Sequence, residues 1–324
     1  GIGHAVGHCS PGGGAEQYRG LSMRVVELSG GVGGARLARG LATIEKVDLT
    51  LIVNVGDDEV IHGLRVSPDL DTVVYTLAGV EGPEGWGREG DTFTANDELG
   101  RLGLDNRFRL GDLDLALNVY RSARLAGGEP LSQVTDTVRR RFEIIPLILP
   151  ATDDIMRTEV KVRSGEWLSF QEYFVHRQHR DEVAELRFSG AAESRPAPGV
   201  IEAIEGADIL LIAPSNPPLS IWPILAVPGI REAVANHPRV TAISPLFGGR
   251  ALKGPADRVM STLGLPPGNS GVAMAYEGVA DIVVIDTGDA ADSTVIEGVE
   301  VVVEDTLIKD AAAAARLGRA ILGL

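Results

Sequence analysis

The chain has a single cysteine, Cys9, so no intramolecular disulfide can form, and the thiol count fits a reducing cytoplasm. Positive charge is in deficit: 30 basic side chains stand against 45 acidic ones, a net charge of −15. Nucleic acid and anionic membrane are thereby excluded as main partners, because each needs a basic footprint. No apolar run approaches the roughly 20 residues of a membrane span. Lysine is nearly absent, with four against 26 arginines, a skew typical of GC-rich genomes. Histidine offers little for metal binding. His4, His8 and Cys9 lie in a glycine-rich stretch without periodicity, and His176 and His179 sit beside Arg177 and Arg180, which reads as a solvated basic face. There is no internal repeat.

What is present is ordinary soluble-enzyme composition, 44% hydrophobic and 23% charged over 324 residues, enough for a large α/β core. The organising stretch is Arg24 to Leu41. A short β-branched run, Val25 to Leu28, leads into Gly30, Gly31, Val32, Gly33 and Gly34, then into an Ala/Leu/Arg pattern at helical spacing. Strand, glycine turn and helix open a nucleotide-binding α/β fold, in which backbone N–H groups meet a phosphate at the positive end of the helix. The spacing is neither the full dinucleotide fingerprint nor a P-loop.

A second buried strand, Leu49 to Val53, ends in Asn54-Val55-Gly56-Asp57-Asp58. Soon after comes Ser67-Pro68-Asp69-Leu70-Asp71-Thr72, running into an apolar helix start. One of Asp69 and Asp71 can be an N-cap. Four aspartates within fifteen residues, split between a strand end and a helix start, exceed what capping needs. Such a set suits Mg²⁺ or a related hard cation with a diphosphate.

Farther on, Glu81 to Asn96 reads as a loop, and helices are expected at 113–125 and 131–141 with a strand from Ile144 to Leu149. Period-two alternation from Thr158 to Val162, with a turn at Ser164-Gly165, marks antiparallel strands. Buried strands follow at Asp208 to Ala213, Arg239 to Ile243 and Asp281 to Asp286, alternating with helices at 229–236, 255–263 and 310–322. The pattern predicts a Rossmann-like parallel sheet flanked by helices, with a smaller α+β insertion. The expected divisions are a disordered extension at 1–22, a core at 23–150, an inserted subdomain at 151–195 and the rest of the core at 196–324.

Together these motifs resemble the 2-phospho-L-lactate transferases of coenzyme F-420 biosynthesis, of the actinobacterial phosphoenolpyruvate transferase type. The matching stretches are Ser29 to Gly34, Asn54 with Gly56-Asp57-Asp58, Ser67 to Thr72, Trp86-Gly87 with Asp91-Thr92-Phe93, and Leu110-Gly111-Asp112. Pro150 to Asp154, Ala213 to Pro217, and Ser244-Pro245 with Gly254-Pro255-Ala256 complete the series. The resemblance implies a cytoplasmic, Mg²⁺-dependent transferase, expected as a homodimer. Its donor would be a guanylyl diphosphate ester of lactate or enolpyruvate, its acceptor the 8-hydroxy-5-deazaflavin Fo, and its leaving group GMP. It further implies that Asp57, Asp58 and Asp71 serve catalysis and, with Asp69, the metal. Gly30, Gly31, Val32, Gly33, Gly34 and Asn54 would cradle donor phosphates. Ser215, Asn216, Ser244 and Lys253 would hold the guanylyl part, and Trp86, Thr92 and Asn96 would border the deazaflavin. On this reading Asp71→Asn nearly abolishes turnover and leaves folding intact. A rival from another class is a nucleotide-sugar-binding regulator of the gluconeogenesis-factor type. A nicotinamide oxidoreductase is a third reading, disfavoured by the lack of a proton-transfer set.

Overall fold

The structure is a computed structural model describing residues 22–252 and 254–324. The expectations for His4, His8, Cys9 and the rest of 1–21, and for Lys253, lie outside the described residues.

Seven strands form one parallel sheet: β1 (Met23–Ser29), β2 (Val47–Val53), β3 (Leu147–Pro150), β4 (Ile209–Ile212), β5 (Val240–Ile243), β6 (Ile282–Asp286) and β7 (Glu300–Glu304). Their order across the sheet is β3-β2-β1-β4-β5-β6-β7. The Rossmann-like expectation is met, and the chain reverses its direction of travel across the sheet between β1 and β4. Ligands of open α/β sheets bind at such a switch point, at the carboxyl edge. β1, β2 and β4 are largely apolar because helices cover both faces: Leu28, Leu51, Ile52, Leu210, Leu211 and Ile212 are fully buried, and Glu27 of β1 is the buried charged exception.

Helix α1 (Gly31–Leu41) starts directly after β1. Gly31 takes φ +65°, which favours glycine, while Gly33 and Gly34 are needed for space. A Cβ on Gly33 would stand 2.3 Å from the Pro214 carbonyl oxygen, and one on Gly34 would stand 2.2 Å from Ser29 Oγ. The turn is therefore pressed onto the end of β4. On the opposite flank, α1 packs against the helix Ala311–Leu322 through Gly40, where a Cβ would meet Ala314.

Helices α2 (Pro68–Ala78), α3 (Thr94–Arg101), α4 (Asp112–Ala126) and α5 (Leu131–Arg141) lie between β2 and β3. The strand expected from Ile144 is shorter than its apolar run. The Arg139 guanidinium takes the carbonyls of Ile144 (2.7 Å) and Ile145 (3.3 Å), and pairing with β2 begins only at Leu147. β7, a half-exposed edge strand whose Val301 to Val303 run is flanked by glutamates, is an addition to the strands expected from the sequence. Within 151–195, strands Arg157–Val162, Trp167–Ser169 and Val183–Ser189 form an antiparallel three-stranded sheet. This small sheet has its own apolar cluster, closed by Leu219 and Val259 of the main body.

Candidate active site

The switch point is built by short-range contacts at the ends of β1 and β4. Ser215 Oγ donates to the Gly30 carbonyl (2.6 Å) and accepts from the Gly30 N–H (3.3 Å), stapling the glycine turn to β4. Asn54, just past β2, donates its amide to Asp69 Oδ2 (3.0 Å) and Asp57 Oδ1 (3.3 Å) and accepts from the Gly56 N–H (2.8 Å). One side chain thus ties the strand end to the helix start. Asp69 Oδ1 accepts from the Gly31 N–H (2.7 Å), so a carboxylate occupies the first amide at the positive end of α1. Neither Asp69 nor Asp71 caps α2; Ser67 is the N-cap residue, and its hydroxyl donates to Asp58 Oδ2 (2.7 Å).

All four aspartates are buried, and Arg121 on α4 is the one buried guanidinium among the described residues. Arg121 makes a bidentate pair with Asp71, with Nη1 3.1 Å from Oδ2, and also donates to Asn118 Oδ1 (2.6 Å). Nearby, the Tyr75 hydroxyl donates to Asp114 Oδ1 (2.8 Å). Burial, followed by the charges of Asp69 and Asp58, pushes the Asp57 carboxyl well above the usual range. Burial raises Asp58 to about 7 against the opposing Ser67 hydrogen bond, and raises Asp69 to about 6 against Asn54 and the Gly31 amide. Asp71 is pushed up by burial and held back by Arg121.

The four do not form one ligand set as the sequence suggested. Asp71 is committed to Arg121 and Asp69 to the Gly31 amide and Asn54. Among the described residues no group of three or more His, Cys, Asp or Glu side chains is arranged to hold a metal ion. Asp57 and Asp58 fit a hard cation differently. Asp58 Oδ1 is buried without a hydrogen-bond partner, and Asp57 lies close enough for the two carboxylates to repel. Mg²⁺ is commonly held by one or two carboxylates plus substrate phosphates rather than by a protein-only cage.

The surrounding loops are held largely by contacts within the chain. The loop carrying Trp86 lies on the start of α1: a Cβ on Gly85 would meet Val32 Cγ1 at 2.6 Å. Trp86 itself is 58% exposed. Thr92 and Asn96 are engaged elsewhere. Asp112, bonded by Thr92 Oγ1, accepts the Ala95 N–H (2.9 Å) at the start of α3, while Asp91 accepts the Leu113 N–H (2.9 Å) at the start of α4. Two helices thus cap each other, and the Asp91-Thr92 and Gly111-Asp112 motifs are explained by this exchange. A Cβ on Gly111 would strike Asp91. Asn96 is buried, bonding the Asn106 carbonyl (3.3 Å) and the Leu110 N–H (3.4 Å).

Asn216 accepts from the Leu219 N–H (3.2 Å), and buried Ser244 donates to Asn269 Oδ1 (2.6 Å). Both shape the carboxyl-edge loops through contacts within the chain. His176 bonds Glu172 (2.6 Å), and His179 packs on Phe174 and contacts Arg258, so the two histidines have separate partners. Arg121 escaped the sequence reading because nothing local links it to Asp71, fifty positions away.

A family model described as 2-phospho-L-lactate transferase CofD matches residues 25–321. The 2-phospho-L-lactate transferase of Methanopyrus kandleri is 41% identical over 307 residues, covering 93% of this chain and 97% of that protein. The phosphoenolpyruvate transferase of Streptomyces griseus is 40% identical over 312 residues, covering 93% and 98% respectively. That of Mycolicibacterium smegmatis is 39% identical over 325 residues, again covering 93% and 98%. Among solved structures, a UPF0052-family protein from Bacillus halodurans superposes with a TM-score of 0.65 at 18% identity, covering 93% of this chain and all of that one. That likeness is one of fold.

Proposed function

The chain belongs to the 2-phospho-L-lactate transferase family, and from that premise we propose that it moves a phospholactyl or phosphoenolpyruvyl group from a guanylyl diphosphate donor to Fo. The terminal ribityl hydroxyl of Fo loses its proton to solvent as its oxygen bonds the phosphorus bearing the three-carbon acid. The bond from that phosphorus to the bridging oxygen breaks, and GMP leaves with the electron pair. The observation that carries the reading is the buried Asp57–Asp58 pair, with Asp58 Oδ1 unpartnered, beside a glycine turn at the sheet's switch point.

In such a displacement positioning and charge neutralisation supply most of the catalysis. Asp57 and Asp58 would hold Mg²⁺, which would neutralise the diphosphate and the charge developing on the leaving oxygen. Asp69 and Asn54 fix the approach of α1 to this loop. Val32 and Gly33, in the first turn of α1, carry helix-terminal N–H groups suited to a donor phosphate. Trp86 offers its exposed face to the flat deazaflavin. Among the described residues no helix is long and apolar enough to cross a membrane. The lone cysteine supports a cytoplasmic setting, and a closed homodimer is the commonest assembly for such an enzyme.

Titrating Fo into the protein, followed by its absorbance or fluorescence, tests the acceptor. Saturable binding tightened by GDP with Mg²⁺ is expected. Absence of Fo binding at high micromolar concentration, together with tight binding of a nucleotide sugar, would replace the transferase by a sensor.

A further inference from the structure

The loop bearing Asp57 and Asp58 is gripped from outside the main sheet. Three successive carbonyls accept hydrogen bonds from the three-stranded unit. The Thr158 N–H bonds the Gly56 oxygen (2.6 Å), Gln171 Nε2 bonds that of Asp57 (2.9 Å), and Arg157 Nη1 bonds that of Asp58 (2.9 Å). Gln171 is buried, and Arg157 also faces Glu59 at 3.7 Å. Gly56 makes the close approach possible, since a Cβ there would lie 2.6 Å from Thr158 Oγ1 and 2.9 Å from Pro223 Cβ. The unit itself is anchored. Val160, Val162, Leu168, Tyr173 and Val183 close over Leu219 and Val259 of the main body.

Three fixed carbonyls prevent the loop's peptides from rotating. The carboxylates of Asp57 and Asp58 then remain with Asn54 and Ser67 on the switch-point side. We propose that Gln171, assisted by Arg157, is a positioning residue that sets how tightly the aspartate pair engages a metal-bound diphosphate, so that the three-stranded unit acts as the clamp of the site. This rests on the reading of the aspartates given above. Groups that orient ligands from behind commonly change metal affinity or activity by about 10–100-fold when removed.

The test is calorimetric titration of GDP into the full chain at a series of Mn²⁺ concentrations, with thermal melting in EDTA alongside. Gln171→Met keeps the side-chain length and removes the donor. It is expected to raise the Mn²⁺ concentration needed for half-maximal tightening of GDP by about 10-fold or more. Melting should stay close to wild type, and kcat should recover at saturating Mn²⁺ while KM for the donor stays raised. Arg157→Met, at a partly exposed position, is expected to shift the Mn²⁺ requirement the same way and gives the answer if Gln171→Met does not fold. Wild-type Mn²⁺ dependence in the folded variants, with or without a fall in Tm, would make the contacts a structural tie and overturn the proposal. Wild-type protein showing no Mn²⁺-dependent GDP binding would instead overturn the reading of the aspartates, and this inference with it.

Discussion

Asp71→Asn is expected to lower folding stability by about 3 kcal/mol, because it leaves the buried Arg121 guanidinium without its counter-charge. Breaking a buried pair typically costs about 3–5 kcal/mol, and asparagine keeps one acceptor, which places this variant at the lower end. For a chain of 324 residues the fall in Tm should be roughly 4–5 °C. This replaces the sequence-based expectation that folding would be untouched. The pairing also predicts non-additivity: Asp71→Asn combined with Arg121→Met should be more stable than Asp71→Asn alone, since no charge is then stranded. Thermal melts of the two singles and the double measure the coupling. An unchanged Tm with lost turnover would show that Asp71 acts on substrate or metal and that Arg121 does not need it.

Asp57→Asn should have the opposite effect on stability. Its carboxyl is buried beside Asp69 and Asp58, and each of the three resists ionisation in the fold. A carboxyl raised above its unfolded value contributes stability at low pH, and that contribution is lost as pH rises through the folded value. From the values for Asp69 (about 6) and Asp58 (about 7), protein in EDTA should lose stability as pH rises from about 4 to above 7. Removing the Asp57 charge relieves its neighbours, so the variant should melt higher than wild type at pH 8 and depend less on pH. Turnover should fall by roughly 100- to 1000-fold, the scale on which a single group stabilising transition-state charge contributes. A variant that melts lower at pH 8, or that keeps most of its activity, would contradict the account of this loop.

How much of this was legible beforehand follows from sequence distance. The glycine turn, the alternation of strands and helices, and the two acidic segments are local patterns, and each stands in the structure close to where periodicity placed it. Residue partners were not legible, because the fold chooses them over long separations. Ser215 meets Gly30 across 185 positions, Arg121 meets Asp71 across 50, and Gln171 meets the Asp57 carbonyl across 114. Thr92 and Asn96 show the converse. Polar residues on a loop near a glycine-flanked aromatic invite a ligand-binding reading, yet both are consumed by capping and loop closure. Among the motif positions, Asp58 Oδ1 and Ser29 Oγ have no hydrogen-bond partner, and Trp86 is exposed.

We propose that Asp57 and Asp58 at the switch point drive transfer of a three-carbon phosphate group onto Fo. The most direct measurement is mass-spectrometric detection of the Fo phosphodiester after incubating the protein with Fo and either guanylyl donor, in Mg²⁺ and in EDTA. The account predicts product and GMP in equal amounts with at least one donor in Mg²⁺, little in EDTA, and little from Asp58→Asn under either condition. Equal product in EDTA, or full activity in Asp58→Asn, would contradict it.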